Sequence, residues 1–321
     1  MIYVLCPDSD KPSGGVKKLY RHVDVLNRNG LASSIVHQTA GFRCAWFEND
    51  TRVSYASQIN LTASDYLVVP EVYGPVIADI QPGIRKVIFN QGCYLTFQGY
   101  SLLKKADVSP YRHPDVFATL VVSDDSRRFL QYVFPELRVY RLHYGIDPAI
   151  FRYQPHKKRQ IAFMPRRNRE DARQVVNALN YRGSLEGFDL IAIDGKSENE
   201  TAAMLKDSMI FLSFGRAEGF GLPPAEAMAC GCIVVGFHGM GGREFFEREH
   251  CYPVPQGDIM AFVQTVERVI ETAERDPGLL AEQGRRAAAY INDNYSLAQE
   301  ESDIIRFWTD AAAAGQVLRQ E

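Results

Sequence analysis

The sequence contains no apolar run of the roughly 20 residues that a transmembrane helix needs. Its first residues, MIYVLCPDSD, lack the basic segment and the longer apolar stretch of a secretory signal. An excess of positive charge is also absent, since 36 Lys and Arg stand against 39 Asp and Glu, which argues against a general nucleic-acid binder. We therefore expect a cytoplasmic protein that does not bind nucleic acid. Peripheral contact with the inner membrane and homo-oligomer formation stay open.

Cysteine is scarce, and its spacing excludes the common metal sites. The six cysteines include no CxxC pair, and the close pair Cys230-Gly-Cys232 has no neighbouring His or Cys cluster that would complete a site. Most cysteines lie in apolar runs, so we predict buried free thiols in a reducing compartment and no bound metal. They are Cys6, Cys44, Cys93, Cys230, Cys232 and Cys251.

Short apolar runs alternate with segments of helical period along the 321 residues. This alternation is typical of βαβ units and a parallel sheet, and the length suits two domains. We predict an N-terminal Rossmann-like domain at 1–151, a C-terminal Rossmann-like domain at 152–295 and a C-terminal helix within 296–321. The polar, basic stretch RYQPHKKRQ at 152–160 is predicted to be the linker.

The predicted elements of the second half are specific enough to test. The strands are Ile161–Met164, Asp189–Ile193, Met209–Phe214 and Ile233–Phe237, and the helices are Asp171–Arg182, Glu198–Lys206, Pro224–Cys230 and Arg243–Phe246.

Residues 215–231, GRAEGFGLPPAEAMACG, are the most informative stretch. Two carboxylates, Glu218 and Glu226, flank a Gly-x-Gly turn and a double proline, which is typical of a loop leading into a helix. Gly219 and Gly221 permit positive φ and a close approach of a ligand to the backbone. We expect Glu226 in the first helical turn and Glu218 in the loop before it. Such a helix end offers free N–H groups to an anion, while carboxylates accept hydrogen bonds from hydroxyls.

The segment EGFGLPPAEAMACGCIVV resembles the donor-binding signature of retaining GT-B glycosyltransferases, especially family four of the group 1 type. The alternative is a capped core helix with two unrelated glutamates. The resemblance implies a GT-B fold, in which two Rossmann-like domains face each other across a cleft and the last helix crosses back to the first domain. Ser296–Gln316 is the candidate for that helix.

The resemblance also implies roles for individual residues. Glu226 would hold the ribose hydroxyls, and Glu218 would hold the sugar hydroxyls and belong to the catalytic set. Glu244, after a Gly-rich turn, matches a family position near the cleft, although a helix-capping role is an alternative. The backbone of the motif and the Gly-Gly turn of the first helix would contact the donor. These donor-binding positions are Gly14, Gly15, Gly219, Phe220, Gly221 and Leu222.

Arginines follow the first strand of the predicted C-terminal domain, in MPRRNREDAR. Arginine forks match phosphate oxygens in bidentate fashion. By resemblance, Arg167 and Arg173 would contact the diphosphate as catalytic residues, with Arg166 as the competing choice for the first position. The family's lysine is absent here, and a solvated basic loop is the alternative.

On the acceptor side, the family often has a histidine where this chain reads Phe89-Asn90-Gln91-Gly92. Amide side chains are not bases at neutral pH, which fits a mechanism in which the departing phosphate takes the acceptor proton. His143 is interpreted as structural. The triplet Asp8-Ser9-Asp10 resembles a metal-binding DxD motif, but its position predicts a solvated loop.

Together these features predict a retaining, metal-independent glycosyltransferase without a cofactor. A nucleotide-diphosphate sugar is its expected co-substrate, and a glycan, lipid-linked or other hydroxyl group its acceptor. A non-catalytic GT-B subunit that stabilises a partner transferase is the first alternative, and absence of turnover would favour it. A nucleotide-sugar epimerase or a phosphorylase of the same fold is another, because fold alone does not separate these activities.

Overall fold

The computed structural model describes residues 1–103, 109–166, 168–247 and 249–317. The chain forms two compact units. The N-terminal unit comprises Met1–His143 with Ala298–Glu321, and the C-terminal unit comprises Tyr144–Leu297. Residues 144–151, predicted to end the first domain, therefore belong to the C-terminal unit.

The elements of the N-terminal unit are β1 (Ile2–Leu5), α1 (Gly14–Arg28), β2 (Ser33–His37), β3 (Val53–Tyr55), β4 (Tyr66–Pro70), β5 (Arg85–Asn90), β6 (Val116–Val121), α2 (Asp124–Val133), β7 (Val139–Arg141) and, after the C-terminal unit, α8 (Leu297–Val317). The elements of the C-terminal unit are β8 (Lys158–Phe163), α3 (Arg169–Tyr181), β9 (Asp189–Ala192), α4 (Glu198–Asp207), β10 (Ser208–Glu218), α5 (Leu222–Ala229), β11 (Ile233–Met240), β12 (Tyr252–Pro253), α6 (Ile259–Arg275) and α7 (Pro277–Asn294). Short 3-10 segments lie at Ala56–Gln58, Glu71–Ala78, Cys93–Leu95, Pro110–Arg112 and Gly241–Glu244.

The N-terminal unit is built on a parallel sheet in the order β3-β2-β1-β4-β5-β6-β7. Strands β2 and β4 are buried at every residue, as expected for parallel strands covered on both faces. The strand order changes direction between β1 and β4. The carboxyl ends of these two strands therefore form a topological switch point, where open α/β sheets bind ligands.

Helix α8 completes the N-terminal unit. Lys18 Nζ of α1 donates to Glu300 Oε1 at 2.7 Å, and the two side chains are 8% and 3% exposed. Trp308 Nε1 donates to His22 Nε2 at 2.8 Å. Burial lowers the pKa of His22 to about 3, so its neutral ring accepts that bond. Because α8 supplies partners for two polar side chains of α1, it is part of this unit's core.

The C-terminal unit has a five-stranded parallel sheet in the order β12-β11-β10-β8-β9. Its core is aromatic where α6 meets the sheet, since Phe262 stacks on Phe214 and meets Phe237 edge to face. The strand order changes direction between β8 and β10. A second switch point therefore lies at the carboxyl ends of these strands, at Phe163 and Glu218.

The structure corrects several predicted boundaries. The linker 152–160 already contains the start of β8 at Lys158. The segment Arg243–Phe246 is not an α-helix, because a 3-10 turn occupies Gly241–Glu244. Strands β3 and β12 were not predicted, since edge strands of three and two residues leave little alternation to detect.

All six cysteines are buried and free of disulfide bonds. None of the helices in the described part of the chain combines the length and the apolar content that spanning a bilayer requires.

Candidate functional site

The first candidate site lies at the switch point of the C-terminal unit. Strand β10 runs on to Glu218, which pairs with Met240 of β11 after a register shift that begins at Gly215. A narrow crevice opens beside it, lined among others by Met164, Glu218, Pro224 and His238. The sequence placed Glu218 in a loop, whereas the structure makes it the last residue of the strand. Its position is therefore fixed by backbone pairing.

Close backbone contacts hold the loop between β10 and α5. A Cβ on Gly241 would lie 2.1 Å from the carbonyl oxygen of Gly219, so only glycine fits there. Gly221 has φ of 94° as expected, but the second residue with positive φ is Ala217 (φ 52°) rather than Gly219. The loop is thus clamped against the 3-10 turn Gly241–Glu244, and its backbone is preorganised.

Helix α5 begins at Leu222, two residues earlier than predicted. Glu226 is therefore its fifth residue and lies in the second turn, so its predicted place in the first turn is wrong. Pro223 and Pro224 have no N–H group, and only Leu222 among the first three helical residues carries a backbone donor. The helix end consequently offers an anion fewer N–H groups than the sequence interpretation assumed.

The side chain of Phe220 lies in the core of the C-terminal unit. Its side chain is only 3% exposed and packs against the rings of Tyr144, Phe245 and Tyr295. Tyr295 also donates its hydroxyl to Glu244 Oε1 at 3.2 Å, which links Glu244 to the chain that follows α7. This contact supports a structural role for Glu244, and it anchors the turn that clamps the loop.

The arginine segment follows β8. Arg166 is exposed in the turn after Pro165, whereas Arg167 lies outside the described residues. Arg173 is exposed on α3, and its Nη1 lies 2.6 Å from Glu170 Oε2, one helical turn away. A phosphate that binds Arg173 has to replace this surface ion pair, which is a small cost because exposed pairs contribute little.

A second candidate site lies at the switch point of the N-terminal unit. Gly14 and Gly15 form the start of α1, and the side chain of the N-cap residue Ser13 makes no capping bond. A Cβ on Gly15 would lie 3.2 Å from Gln91 Oε1, so the Gln91 side chain lies over the first turn of α1. Asn90 is buried and donates to Thr96 Oγ1 and the Tyr111 hydroxyl. Of the two amides, only Gln91 is at the site.

The DxD triplet lies in the loop before α1 with Asp8 and Asp10 exposed, as predicted, and Asp8 is in addition hydrogen-bonded. Asp8 Oδ1 lies 2.8 Å from His37 Nδ1 and also accepts the N–H of Gln38, while Oδ2 accepts the N–H of Thr39. These bonds hold the pKa of Asp8 below its ordinary value even though burial opposes them. The carboxylate therefore fastens the loop before α1 to the end of β2. In the described ranges, no group of three His, Cys, Asp or Glu side chains is placed to share a metal ion.

His143 and the aromatic residues of the 94–111 region contribute to packing. His143 Nδ1 lies 2.6 Å from Asp303 Oδ2 of α8, in agreement with the structural interpretation. Tyr111 stacks on Phe134, and Phe97 also contacts Phe134. Phe97 nevertheless stays 45% exposed, so packing accounts for only part of this cluster.

The segment that carries the two glutamates is similar to a known family. A model of the family described as "Glycosyl transferases group 1" matches residues 189–287, which include Glu218 and Glu226. The protein is a glycosyltransferase, and the group 1 similarity covers that segment.

Known proteins are similar to this glycosyltransferase over most of its length. An alpha-1,6-glucosyltransferase of Actinobacillus pleuropneumoniae serotype 7 (strain AP76) is 28% identical over 233 residues, which are 68% of this chain and 67% of that protein. Sucrose-phosphate synthase of Thermosynechococcus elongatus has a similar structure, with a TM-score of 0.69, 12% identity and coverage of 98% and 99%. Anabaena HepE, solved in complex with UDP, gives a TM-score of 0.65 at 12% identity, with coverage of 97% and 100%. The predicted GT-B fold class, with two Rossmann-like units, is confirmed.

Sequence reasoning missed one group near the second site of the glycosyltransferase. Glu71 follows β4 directly and is 3% exposed, although most glutamates lie at the surface. A signal was present, because Glu71 comes immediately after the apolar strand YLVVP and parallel strands carry ligand-facing residues at their carboxyl ends.

Proposed function

We propose that this protein is a retaining, metal-independent group 1 glycosyltransferase that moves a sugar from a nucleotide-diphosphate sugar to an acceptor hydroxyl. The observation that carries the proposal is the position of Glu218, at the carboxyl end of β10 beside the switch point, with Glu226 on the helix that follows the glycine loop. Structural neighbours solved with UDP and with UDP-glucose support a nucleotide sugar as the donor.

The donor is bound in this proposal by carboxylates and backbone groups. Glu226 accepts hydrogen bonds from the ribose hydroxyls, and Glu218 accepts them from the sugar hydroxyls. Backbone N–H groups at positions 219–222 contact the phosphate or the sugar. Pro223 and Pro224 contribute no such contact, because they have no N–H group. Because the loop is clamped by Gly241, it loses little conformational freedom when the donor binds.

The diphosphate is neutralised by arginines in this proposal. Arg166, Arg167 and Arg173 are the candidates, and Gly14 and Gly15 add backbone contacts from the start of α1. Preorganised donors that meet developing negative charge contribute about 3–4 kcal/mol each to lowering the barrier. No metal is needed if these groups supply the compensating charge.

The proposed reaction retains the anomeric configuration. The bond from the anomeric carbon to the phosphate oxygen breaks with its electron pair going to the phosphate. The acceptor oxygen forms the new glycosidic bond on the same face, and its proton passes to the departing phosphate. Asn90 and Gln91, in place of the family's histidine, are consistent with this assignment because neither amide is a base at neutral pH.

The first test is a thermal-shift screen against nucleotides and nucleotide sugars, followed by a transfer assay that starts from UDP-glucose. A ligand at a hundred times its Kd adds about 2.7 kcal/mol of stability. We expect one nucleotide family to raise the melting temperature and Glu226→Ala to abolish that shift. NMR of the product's anomeric proton then reports whether the configuration is retained.

A matched pair of arginine variants tests the phosphate contacts. Arg166→Ala is expected to lower kcat about 100-fold, whereas Arg169→Ala, on the exposed start of α3, should leave it unchanged. Wild-type kinetics in both Arg166→Ala and Glu226→Ala would refute the assignment of the site. Absence of any nucleotide effect on the wild-type protein would refute the function itself.

A further inference from the structure

Glu71 is a buried carboxylate at the switch point of the N-terminal unit. It is the first residue after β4, and it opens the 3-10 segment Glu71–Ala78. Its neighbours in the sheet are the carboxyl ends of β1 and β5. At 3% exposure it does not reach solvent, and its Oε2 atom has no hydrogen-bond partner in the described part of the chain. A buried charge costs free energy unless polar groups around it stabilise the charge.

The carboxylate acts on the turn that follows β5. The backbone N–H groups of Gln91 and Gly92, together with its own N–H, favour the Glu71 anion and lower its pKa against the effect of burial. Such backbone groups interact more strongly with a charged acceptor than with a neutral one. The conformation of the turn at Gln91–Gly92 therefore depends on the carboxylate of Glu71.

The same turn aims a side chain at α1. Gln91 Oε1 lies 3.2 Å from the position that a Cβ on Gly15 would occupy, so the side chain is in contact with the first helical turn. Asn90, one residue earlier, points into the core and bonds to Thr96 and Tyr111. A shift of the Gln91 backbone would therefore move the one amide of this pair that lies at the site.

We propose that Glu71 is a positioning residue, whose buried carboxylate holds the Gln91–Gly92 turn so that the Gln91 side chain lies over Gly15 and orients the acceptor hydroxyl there. The inference rests on the proposed function, since it assigns a task in sugar transfer to this site. Glu71 does not touch the substrate in this scheme, and its effect passes through Gln91.

The charge state of Glu71 gives the proposal a pH signature. Burial raises the pKa of Glu71 to about 7, against the hydrogen bonds that lower it. Among the described residues, no charged side chain contributes to the pKa of Glu71. The titratable group that faces Glu71 is Tyr111, in the 3-10 turn Pro110–Arg112, and the Glu71 charge helps to raise the pKa of Tyr111. Since the anion is the better acceptor of backbone N–H bonds, turnover should increase as the pH rises through about 7.

The test compares Glu71→Gln with Asp79→Asn, which removes an exposed carboxylate at the end of the same 3-10 segment. Glu71→Gln is expected to lower kcat about 10- to 100-fold, the cost of a misplaced positioning group, and to abolish the rise of kcat with pH. The donor KM and the nucleotide-induced thermal shift should stay unchanged, because the donor carboxylates belong to the C-terminal unit. Asp79→Asn should match the wild type in kcat and in its pH profile.

A double-mutant cycle separates positioning from a general structural effect. Gln91→Ala should lower kcat by a similar factor, and Glu71→Gln with Gln91→Ala together should cost no more than the worse single change. Multiplicative losses, or a wild-type kcat in Glu71→Gln, would overturn the proposal. A retained nucleotide shift verifies that each variant is folded. If the wild type transfers no sugar at all, the proposed function fails; if it does and Glu71→Gln behaves the same, only the positioning role fails.

Discussion

Glu300 offers a sharp test of how α8 is attached to the N-terminal unit. Its carboxylate, 3% exposed, accepts from Lys18 Nζ at 2.7 Å and from Arg21 Nε at 2.5 Å. Burial lowers the pKa of Lys18, while the Glu300 carboxylate opposes that shift. Glu300→Ala leaves the Lys18 ammonium buried without its carboxylate partner. Removing one partner of a buried pair costs about 3–5 kcal/mol, so we expect a loss of that size in the free energy of unfolding.

The adjacent residue supplies a matched control on the same helix. Glu301 pairs with Arg28 at 2.6 Å, but the two side chains are 32% and 55% exposed. Exposed pairs contribute about 0–1 kcal/mol, so Glu301→Ala should change the unfolding free energy by less than about 1 kcal/mol. Both variants remove a glutamate carboxylate from α8, and they differ mainly in the burial of the ion pair.

Urea unfolding followed by tryptophan fluorescence is the suitable assay. The sequence has two tryptophans, Trp46 and Trp308, and both belong to the N-terminal unit. The signal therefore reports this unit, while a nucleotide-induced shift reports the C-terminal unit separately. Losses in Glu300→Ala and Glu301→Ala that agree within about 1 kcal/mol would refute the argument from burial.

Three further predictions address the titration of Glu71, the clamped loop and the metal requirement. Because the pKa of Glu71 rises from 4.5 to about 7 on folding, its titration should lower the unfolding free energy by about 3 kcal/mol between pH 4.5 and 7. Urea titrations should show that fall as a difference between the wild type and Glu71→Gln, and equal pH slopes in the two proteins would contradict it. Gly241→Ala places a Cβ 2.1 Å from the Gly219 oxygen and should abolish the nucleotide-induced thermal shift. Gly257→Ala, with φ of 81° and no atom within 4 Å, should cost about 1 kcal/mol and keep the shift; loss in both variants would contradict the clamp. Sugar transfer should be undiminished in EDTA, and loss of transfer that Mn²⁺ restores would contradict metal independence.

Much of the fold could be predicted because its determinants are local. The strand predicted at Asp189–Ile193 agrees to within one residue with β9, since a short apolar run between polar and turn residues is a local signal. The start of α5 was misplaced because Pro224 was assigned to the first helical position. The helix instead begins at Leu222 and places Pro223 and Pro224 inside its first turn, where proline is tolerated.

The candidate site was predictable only where it lies in one segment. Glu218 and Glu226 belong to a contiguous motif, so their proximity to the glycine loop could be inferred. The contact of Gln91 with Gly15 joins residues far apart in the chain, and no local pattern encodes it. The burial of Glu71 depends in the same way on three neighbouring strand ends. Hydrogen bonds such as His143 with Asp303 likewise depend on where α8 returns.

The return of α8 also sets an order of events during synthesis. Every residue of the C-terminal unit leaves the ribosome before the helix that completes the N-terminal unit. Until then, α1 presents Lys18 without Glu300, and His22 without Trp308. The face of α1 that contacts α8 therefore stays uncovered while more than a hundred further residues are made. At about 5–20 residues per second, this takes on the order of ten seconds. The half that begins first is finished last, and the exposed face of α1 is where chaperones would be expected to bind in the interval.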